Sequence, residues 1–553
     1  MGLAGFFEKR PGSQKRSGLK TVTIAAIAFF AIVCGLALHR YLNFYASEAS
    51  FDQGIFNQVF WNGLHGRFFQ SSLSSTLSAS VTLGDQIPRV GYHRLGQHFT
   101  PALLLWLPIY ALYPNVVTLS ILQVVLVTAA GLVLFALARE HDLAPALAAT
   151  LTISFYCATA VIGPTLQNFH DFSQLPLFVF GMLYALHKRW WWLYAPLAIL
   201  IPMAREDSGV ILFSLGVFLT LSRKAPRLGL GLCVYSVAYI LTITNVMMPM
   251  FSEDVSQRFA IERFGQYVEG DSASTLDLIV AMLRRPWLVA LEIIQPFDRT
   301  LSYLLGQWLP LAFVCVISPS AWLASGFPLL LLLVAQGQTV LSITTRYALA
   351  VVPGLFYGTM LWWTQHPNGF RPGFRRFWTF CIVLSVFFTL TPNPHRTFSF
   401  LIPDSFEPRV HATIGTQWNH AAAVRPLFAE IPRDRFVAAT SHLVPHLSSR
   451  REIVRLPRTR LQNDDGEVVQ ADYVLADLWQ LEQYQAAFSY ERQQLNTITN
   501  LIDSVLTRET YGVVGYADGT VLLQRGMPSR PDVAQQWSEY RDRLQSALSP
   551  NNR

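Results

Sequence analysis

Long apolar segments recur through the first part of this chain and then stop. They run from Thr21 to Leu390, and many are long enough for a helix to cross the hydrocarbon core of a bilayer, which takes about 20 residues. Only 14% of the residues are charged, whereas an average soluble chain has roughly 25%. The sequence therefore predicts a polytopic α-helical membrane protein, because helices satisfy their own backbone hydrogen bonds in lipid.

The lengths and breaks of the apolar segments predict about eleven spans. The first runs from Thr21 to about His39. The apolar stretch between His98 and Tyr113 is short and interrupted by prolines, so we expect it to lie on the membrane instead of crossing it. The other predicted spans are 115–138, 144–162, 172–187, 190–203, 208–222, 227–250, 300–318, 320–336, 345–363 and 377–392.

Three regions follow from this pattern: a basic N-terminus at 1–20, a membrane domain at 21–393 with an external loop at 40–114, and a polar region at 394–553. The polar region is long enough to bury its own core. Its β-branched segments predict strands and a hairpin around Asp518-Gly519, and longer amphipathic stretches predict helices. We expect a small α/β soluble domain. The predicted strands are 435–440, 452–456, 473–476, 511–516 and 520–524, and the predicted helices are 411–430, 480–504 and 531–547.

Lysine and arginine clusters predict which loops face the cytoplasm. The cluster within 1–20 places the N-terminus there and the end of the first span outside. The same alternation places four further basic loops in the cytoplasm, and an odd number of spans puts 394–553 outside. We therefore expect an integral protein of the plasma (inner) membrane, with a cytoplasmic N-terminus and an extracytoplasmic C-terminal domain. The basic loop residues are Arg139, Lys188, Arg189, Arg223, Lys224, Arg227, Arg371, Arg375 and Arg376.

Several function classes lack support in the sequence. The formal charge of +7 lies largely in short loops, so it indicates topology and not nucleic-acid binding. All five cysteines fall in apolar segments, which argues against a disulfide framework and a cysteine metal site. No glycine-rich phosphate loop, dinucleotide fingerprint or serine-hydrolase elbow is present.

Unusual polar residues of the membrane domain converge on the predicted outer side. Ionisable groups at the edge of a span are costly unless they are paired or face a wet cavity, so they indicate a functional site. Convergence on one side strengthens that interpretation. The candidate site residues are Asp52, His98, His170, Glu206, Asp207, Arg346 and Tyr347.

Asp52 has two open interpretations. Apolar residues recur at helical spacing around it, which predicts an amphipathic helix lying on the membrane. Asp52 is then either a first-turn carboxylate favoured by the helix dipole or a general base that removes a proton from an acceptor hydroxyl. His98, farther along the same loop, is either a packing residue or a group that reaches a metal or a phosphate.

The other candidates also have a structural alternative. His170 beside Asp171 suits a metal ligand with a polarising partner, and Asp171 equally suits a helix cap. Glu206 and Asp207 beside Arg205 form either an internal ion pair with a cap or a site for a cation or a hydroxyl-rich ligand. Arg346, followed by Tyr347, suits a phosphate or pyrophosphate, although snorkelling toward the interface is a common alternative.

Five motifs carry a family resemblance. They are Phe51-Asp52-Gln53-Gly54-Ile55-Phe56-Asn57-Gln58, His98-Phe99-Thr100-Pro101, Asn168-Phe169-His170-Asp171, Arg205-Glu206-Asp207 and Ser448-Ser449-Arg450. On these motifs the chain resembles the GT-C superfamily of membrane glycosyltransferases, and more closely the uncharacterised membrane family DUF2079 that is grouped with it.

The resemblance implies an inverting glycosyltransferase with a polyprenyl-phosphate-linked sugar as donor and a glycan, lipid or protein as acceptor. It implies that Asp52 is the base, that Glu206 or Asp207 shapes the acceptor or metal site, and that Arg346 contacts the donor phosphate. Gln53 departs from the acidic pair that such enzymes often show, so a divalent metal stays an open question, with His170, Glu206 and Asp207 as candidate ligands. The competing hypotheses are a transporter or flippase of lipid-linked or polyol substrates, and a non-catalytic scaffold.

In the soluble domain a further polar group falls within one turn. Structural capping and binding of an acceptor or polymer are both open interpretations of it. The group consists of His442, His446, Ser448 and Arg450.

Overall fold

The computed structural model describes residues 18–45, 50–337 and 339–548. Most of the predicted basic N-terminus, including Lys9, Arg10, Lys15 and Arg16, lies outside the described residues. The described chain is mostly helical up to about residue 430, and a small mixed sheet follows near its C-terminus.

The helices vary widely in length, from one turn to seven. Short 3-10 or π segments connect several of them, notably at Asp171–Gln174 and Glu206–Ser208. The α-helices are α1 (Leu19–Leu42), α2 (Ser50–Leu64), α3 (Ser72–Ser75), α4 (Ala79–Thr82), α5 (Leu107–Leu112), α6 (Val116–Glu140), α7 (Pro145–Tyr156), α8 (Thr159–Leu166), α9 (Leu175–Lys188), α10 (Trp191–Ala204), α11 (Gly209–Leu221), α12 (Pro226–Thr242), α13 (Ala260–Phe264), α14 (Thr275–Arg284), α15 (Pro286–Ile294), α16 (Phe297–Trp308), α17 (Val314–Ile317), α18 (Pro319–Leu333), α19 (Ala348–Gln365), α20 (Pro372–Leu390), α21 (Ile414–Ala429), α22 (Val444–Leu447), α23 (Trp479–Tyr484), α24 (Ser489–Thr507) and α25 (Pro531–Leu548).

Four helices within the described ranges are long and apolar enough to cross a membrane, and a bent pair, α7 and α8, makes a fifth candidate. The four are Leu19–Leu42, Val116–Glu140, Pro226–Met250 and Pro372–Leu390. Three other predicted spans form helices of only 14, 14 and 13 residues, namely α9, α10 and α11. Such helices are about 20 Å long, shorter than the roughly 30 Å hydrocarbon core. The structure thus gives four to five candidate spans and does not confirm the count of about eleven.

The helical part of the molecule has a basic end. There α6 and α9 finish side by side, with Glu140 and Lys188 paired at 2.5 Å. Arg375 and Arg376, near the start of α20, line a cavity together with Ala146, near the start of α7. The opposite ends of α6 and α9 lie near Asp52 and Asp171, so the basic loops and the candidate site occupy different ends.

Helix α2, which carries Asp52, is buried on almost all sides. Twelve of its residues are buried, because the C-terminal domain covers the face of α2 that we expected to contact water or lipid headgroups. Gly54 shows how close this contact is, since a Cβ atom there would approach the Val444 side chain to 2.6 Å. The prediction of an amphipathic helix on the membrane surface is therefore wrong for α2. This helix lies inside the protein, between the helical part of the chain and the C-terminal domain.

The C-terminal sheet has five strands in the order β4-β3-β7-β9-β8. Strands β3, β4 and β7 are parallel, whereas β9 pairs antiparallel with both β7 and β8. The predicted hairpin is present between β8 and β9, and Asp518 and Gly519 have φ of 43° and 79°, as its tight turn requires. The strands are β1 (Ser405–Phe406), β2 (Arg409–Val410), β3 (Val437–Ala439), β4 (Ile453–Arg455), β5 (Arg460–Gln462), β6 (Val468–Gln470), β7 (Tyr473–Asp477), β8 (Tyr511–Ala517) and β9 (Thr520–Arg525).

Both faces of this sheet are buried. Val474 and Leu523 pack in one cluster with Leu495 of α24. Leu475 and Leu522 belong to another cluster, which also contains residues of α2. Alternate residues of a strand point to opposite faces, so one face completes the domain core and the other joins the domain to the external loop.

Candidate functional site

Asp52 and Arg346 form an ion pair that joins two distant parts of the chain. The Arg346 Nη1 atom donates to Asp52 Oδ2 at 2.7 Å. Asp52 lies in the first turn of α2, and Arg346 lies just before α19, where its backbone N–H donates to Gln167 Oε1 at 3.1 Å. The side chains keep 28% and 20% of their surface exposed, so this pair remains reachable from outside the protein.

A second group of charges lies deeper. Arg94 approaches Asp171 to 3.9 Å, and both side chains are buried. The guanidinium group of Arg94 also stands 4.7 Å from the centre of the Phe56 ring. Buried charges are tolerated when they are paired, so this pair anchors the external loop to the segment that begins α9.

Glu206 links the external loop to the break between α10 and α11. His98 Nδ1 donates to Glu206 Oε1 at 2.9 Å, and the backbone N–H of Phe99 donates to Oε2 at 2.9 Å. Arg205 Nε lies 3.3 Å from Glu206 and 3.5 Å from Asp207. Both carboxylate oxygens of Glu206 are therefore engaged with protein donors.

Three arginines surround the Tyr347 phenol. Arg263 Nη2 donates to the Tyr347 hydroxyl at 2.6 Å. The guanidinium carbons of Arg263, Arg346 and Arg205 lie 4.8, 5.5 and 5.6 Å from the ring centre. Burial alone would raise the pKa of Tyr347, but the three nearby cations lower it to about 7. Such an environment stabilises negative charge.

Burial controls the protonation of three other candidates. It lowers the pKa of His98 well below its usual range, assisted by Arg205 and Arg94. It lowers the pKa of His170 to about 4 and raises the pKa of Asp207 to about 6. Both imidazoles are therefore neutral at pH 7. With Nδ1 of His98 donating to Glu206, its Nε2 keeps a lone pair that can accept a hydrogen bond.

Several buried polar atoms in and beside this cluster have no protein partner among the described residues. Unpaired buried polar atoms are rare in folded proteins, and each one needs an explanation such as a ligand or an ordered water. Each of these atoms can be satisfied by an ordered water or by a polar group of a ligand. The atoms are Arg94 Nε, Thr100 Oγ1, Asn168 Oδ1, His170 Nδ1, Ser208 Oγ and Arg346 Nε.

The three candidate metal ligands do not form a common donor set. His170 Nε2 bonds to the Pro164 carbonyl at 3.1 Å, and Glu206 is already engaged by His98 and Phe99. In the part of the chain that the structure describes, no group of three or more His, Cys, Asp or Glu side chains is arranged to hold a metal ion.

An apolar groove begins beside Asp207 and Tyr347. It has a volume of about 270 Å³, including the part open to its surroundings, and runs between α11, α18 and α19. Its lining residues are Phe172, Asp207, Val210, Ile211, Pro328, Leu331, Leu332, Tyr347 and Ala350.

The structure brings Asp52 into contact with Arg346 and His98 into contact with Glu206. Sequence reasoning missed Arg263, which lies in the short helix α13 between α12 and α14. One signal was available: arginines in a loop predicted to face outward run against the positive-inside bias. His170 lies behind Asp171 and holds the Pro164 carbonyl, as a packing residue would.

Residues 41–522 match the model of a family described as a predicted membrane protein (DUF2079). This chain belongs to the DUF2079 family. No curated protein matches it.

Two of the DUF2079 motifs quoted above contact each other. Asn57 donates to Ser448 Oγ at 2.8 Å and to Ser449 Oγ at 3.0 Å. Gln58 donates to the Arg450 carbonyl at 3.1 Å, while the Arg450 side chain donates to the Leu447 carbonyl at 2.7 Å. These motifs therefore hold the C-terminal domain against α2, in keeping with the capping interpretation of Ser448 and Arg450.

The C-terminal domain of this DUF2079 protein also contains a buried His–Asp–His group. Asp477 Oδ2 accepts from His442 Nε2 at 2.7 Å and from His420 Nε2 at 3.1 Å. His420 Nδ1 donates to Asp518 at 2.9 Å. Burial lowers the pKa of His420, but the two carboxylates outweigh it and raise the pKa to about 9. His420 is therefore charged at neutral pH.

This pKa predicts a loss of stability in alkaline solution. A raised histidine pKa contributes stability that is complete below about pH 6.5 and is lost as the pH rises through about 9. We expect the free energy of unfolding to fall by up to about 3 kcal/mol between pH 6.5 and 9.5. Thermal unfolding of the purified protein, followed by tryptophan fluorescence, measures this slope. The decrease in the free energy of unfolding with rising pH should become smaller in His420→Gln and stay unchanged in His65→Gln, an exposed control. Equal decreases in all three proteins would refute the assignment of the raised pKa to His420.

Proposed function

We propose that this DUF2079 protein is an inverting membrane glycosyltransferase of GT-C type that uses a polyprenyl-phosphate-linked sugar. One observation carries the proposal: three arginines converge on Tyr347 at the head of an apolar groove, and one of them also holds the carboxylate of Asp52. This arrangement suits a lipid donor that has a hydrocarbon chain and an anionic phosphate. It also suits an acceptor whose reacting hydroxyl group lies beside that donor.

The phosphate of the donor would lie against Arg346 and Arg263. Guanidinium groups bind phosphate oxygens through charge-assisted hydrogen bonds, and the unpaired Arg346 Nε offers one further donor. The groove beside Tyr347 would hold the first isoprene units. The reacting sugar would then extend toward Asp52, since Arg346 contacts both groups.

In the proposed reaction, the acceptor hydroxyl attacks the anomeric carbon from the side opposite the phosphate. The bond between that carbon and the phosphate oxygen breaks, and the phosphate leaves with the electron pair. Asp52 takes the proton from the attacking hydroxyl. Arg346 positions the Asp52 carboxylate through its hydrogen bond and neutralises charge on the departing phosphate. Attack from the opposite side inverts the anomeric centre.

The charge distribution supports an outward-facing site. Arg139, Lys188 and Arg375 lie toward the basic end, away from Asp52. Basic loops stay in the cytoplasm, so we propose that Asp52, its neighbours and the C-terminal domain lie on the outer side of the plasma membrane. The short helices α9, α10 and α11 fit this arrangement, because their polar breaks bring the site down into the headgroup region.

Binding of a lipid phosphate tests the proposal. We expect Arg346→Gln to weaken binding of polyprenyl phosphate by about tenfold or more, because a charge-assisted hydrogen bond is lost. Native mass spectrometry of the purified protein in lipid nanodiscs measures the bound fraction as the lipid is titrated. Arg263→Gln should have a similar effect.

Arg375→Gln is the matched control, since it removes the same charge from the basic end. Binding that falls equally in Arg375→Gln, or that is unchanged in both Arg346→Gln and Arg263→Gln, would place the lipid phosphate elsewhere.

A further inference from the structure

The C-terminal sheet has a crevice at the carboxyl ends of its parallel strands. The chain leaves β3 and moves to β4 on one side, and later returns to β7 on the other side of β3. The segments that follow β3 and β7 therefore diverge and leave a gap between them. In open α/β sheets, ligands bind at this type of topological switch point.

A cavity occupies this position. It has a volume of about 520 Å³, including the part open to solvent. Thr440, Ser441 and His442 follow β3, Leu456 follows β4, and Gln480 follows β7. Helix α24 closes one side and supplies Tyr490, Glu491 and Gln494, while Arg396 enters from the segment after α20.

The lining has a distinct chemical character. Hydroxyl, amide and imidazole groups supply both donors and acceptors of hydrogen bonds. Its two opposite charges cancel, because Arg396 pairs with Glu491. Tyr490 exposes 40% of its side chain and offers an aromatic face. Leu456, Leu481 and Ile498 add apolar surface to the lining. A neutral ligand that combines hydroxyl groups with carbon–hydrogen faces fits this lining better than an anion.

We propose that this crevice is a saccharide-binding site. His442 forms part of its wall and is held in place by Asp477. The same histidine lines a second, smaller cavity together with Ser50 and Gln53 of α2. Gln53 adjoins Asp52 in the sequence, so His442 stands between the crevice and the helix that carries Asp52.

A second connection runs through the segment that supplies Arg396. His395, its neighbour, bonds through Nε2 to the Thr344 carbonyl at 2.9 Å, two residues before Arg346. The segment that supplies Arg396 to the crevice is therefore hydrogen-bonded to the segment that precedes Arg346. Binding in the crevice does not depend on the transferase proposal and is measured without turnover.

Saturation-transfer difference NMR tests the site on the full-length protein in nanodiscs. The probes are the methyl glycosides of glucose, galactose, mannose, arabinose and N-acetylglucosamine. We expect at least one to give a saturation signal with the unaltered protein and with Asp52→Asn. Gln494→Leu should weaken binding of that probe by about tenfold, since one hydrogen-bonding group is lost.

Gln493→Leu is the matched control, because Gln493 is the exposed neighbour on the same helix and lies outside the lining. Ser441→Trp, which fills the crevice, should abolish the signal. A signal unchanged in both Gln494→Leu and Ser441→Trp, or no signal with any probe, would overturn the proposal. Loss of binding in Asp52→Asn alone would place the saccharide at the charged cluster and would also overturn it.

Discussion

Replacing Asp52 by asparagine is expected to lower the rate of sugar transfer by about 10²–10⁴-fold, the usual contribution of a general base. Asparagine has the same shape and can still accept a hydrogen bond from Arg346, so the local fold should survive. It carries no charge and does not take the proton of the acceptor hydroxyl. The rate is measured as release of radiolabelled sugar from polyprenyl phosphate donors by the purified protein.

Asp85→Asn serves as the matched control, because Asp85 lies in the same external loop and is exposed. Its rate should equal that of the unaltered protein. Lipid phosphate binding by Asp52→Asn should also stay within a few-fold of normal, which separates the base from the phosphate site. Full transfer activity in Asp52→Asn would refute the assignment of the base.

The second large effect is expected on stability. Asp477 accepts hydrogen bonds from two histidines and is fully buried. Burial would raise its pKa, but His420 and His442 hold the pKa well below its usual range. Asp477→Asn leaves the charged His420 without its buried partner, and breaking a buried pair in this way costs about 3–5 kcal/mol.

Hydrogen exchange of the β7 amides in the full-length protein measures this loss, since exchange reports the free energy of opening. Asp503→Asn is the control. Asp503 pairs with Arg541 at 2.7 Å but keeps 39% of its side chain exposed, so its loss should cost about 0–1 kcal/mol. Equal protection of β7 in both variants would mean that the His–Asp–His group does not stabilise the domain.

Much of the helical and sheet content was predictable from local pattern. The apolar segments gave the helical membrane domain, and β8 and β9 were recognisable from β-branched residues around Asp518-Gly519. The structure does not confirm the predicted number of spans. Helices α9, α10 and α11 are apolar but short, and hydropathy alone does not distinguish a short internal helix from a complete span.

The candidate site was also predictable only in part. Charge alternation placed Asp52 and Arg346 at one end of the membrane domain, although they are 294 residues apart, and the structure joins them in an ion pair. Arg263 was missed because its role depends on the folding of a long loop against Tyr347. The burial of α2 was missed because it comes from the C-terminal domain, which local periodicity does not include.

The position of the donor phosphate is the most direct test of this account. An electron cryomicroscopy map of the protein in nanodiscs with bound polyprenyl phosphate would locate it. We expect phosphate density within hydrogen-bonding distance of Arg346 and Arg263, with the lipid chain in the groove beside Tyr347. Phosphate density at Arg375 and Arg376, on the basic end, would contradict it.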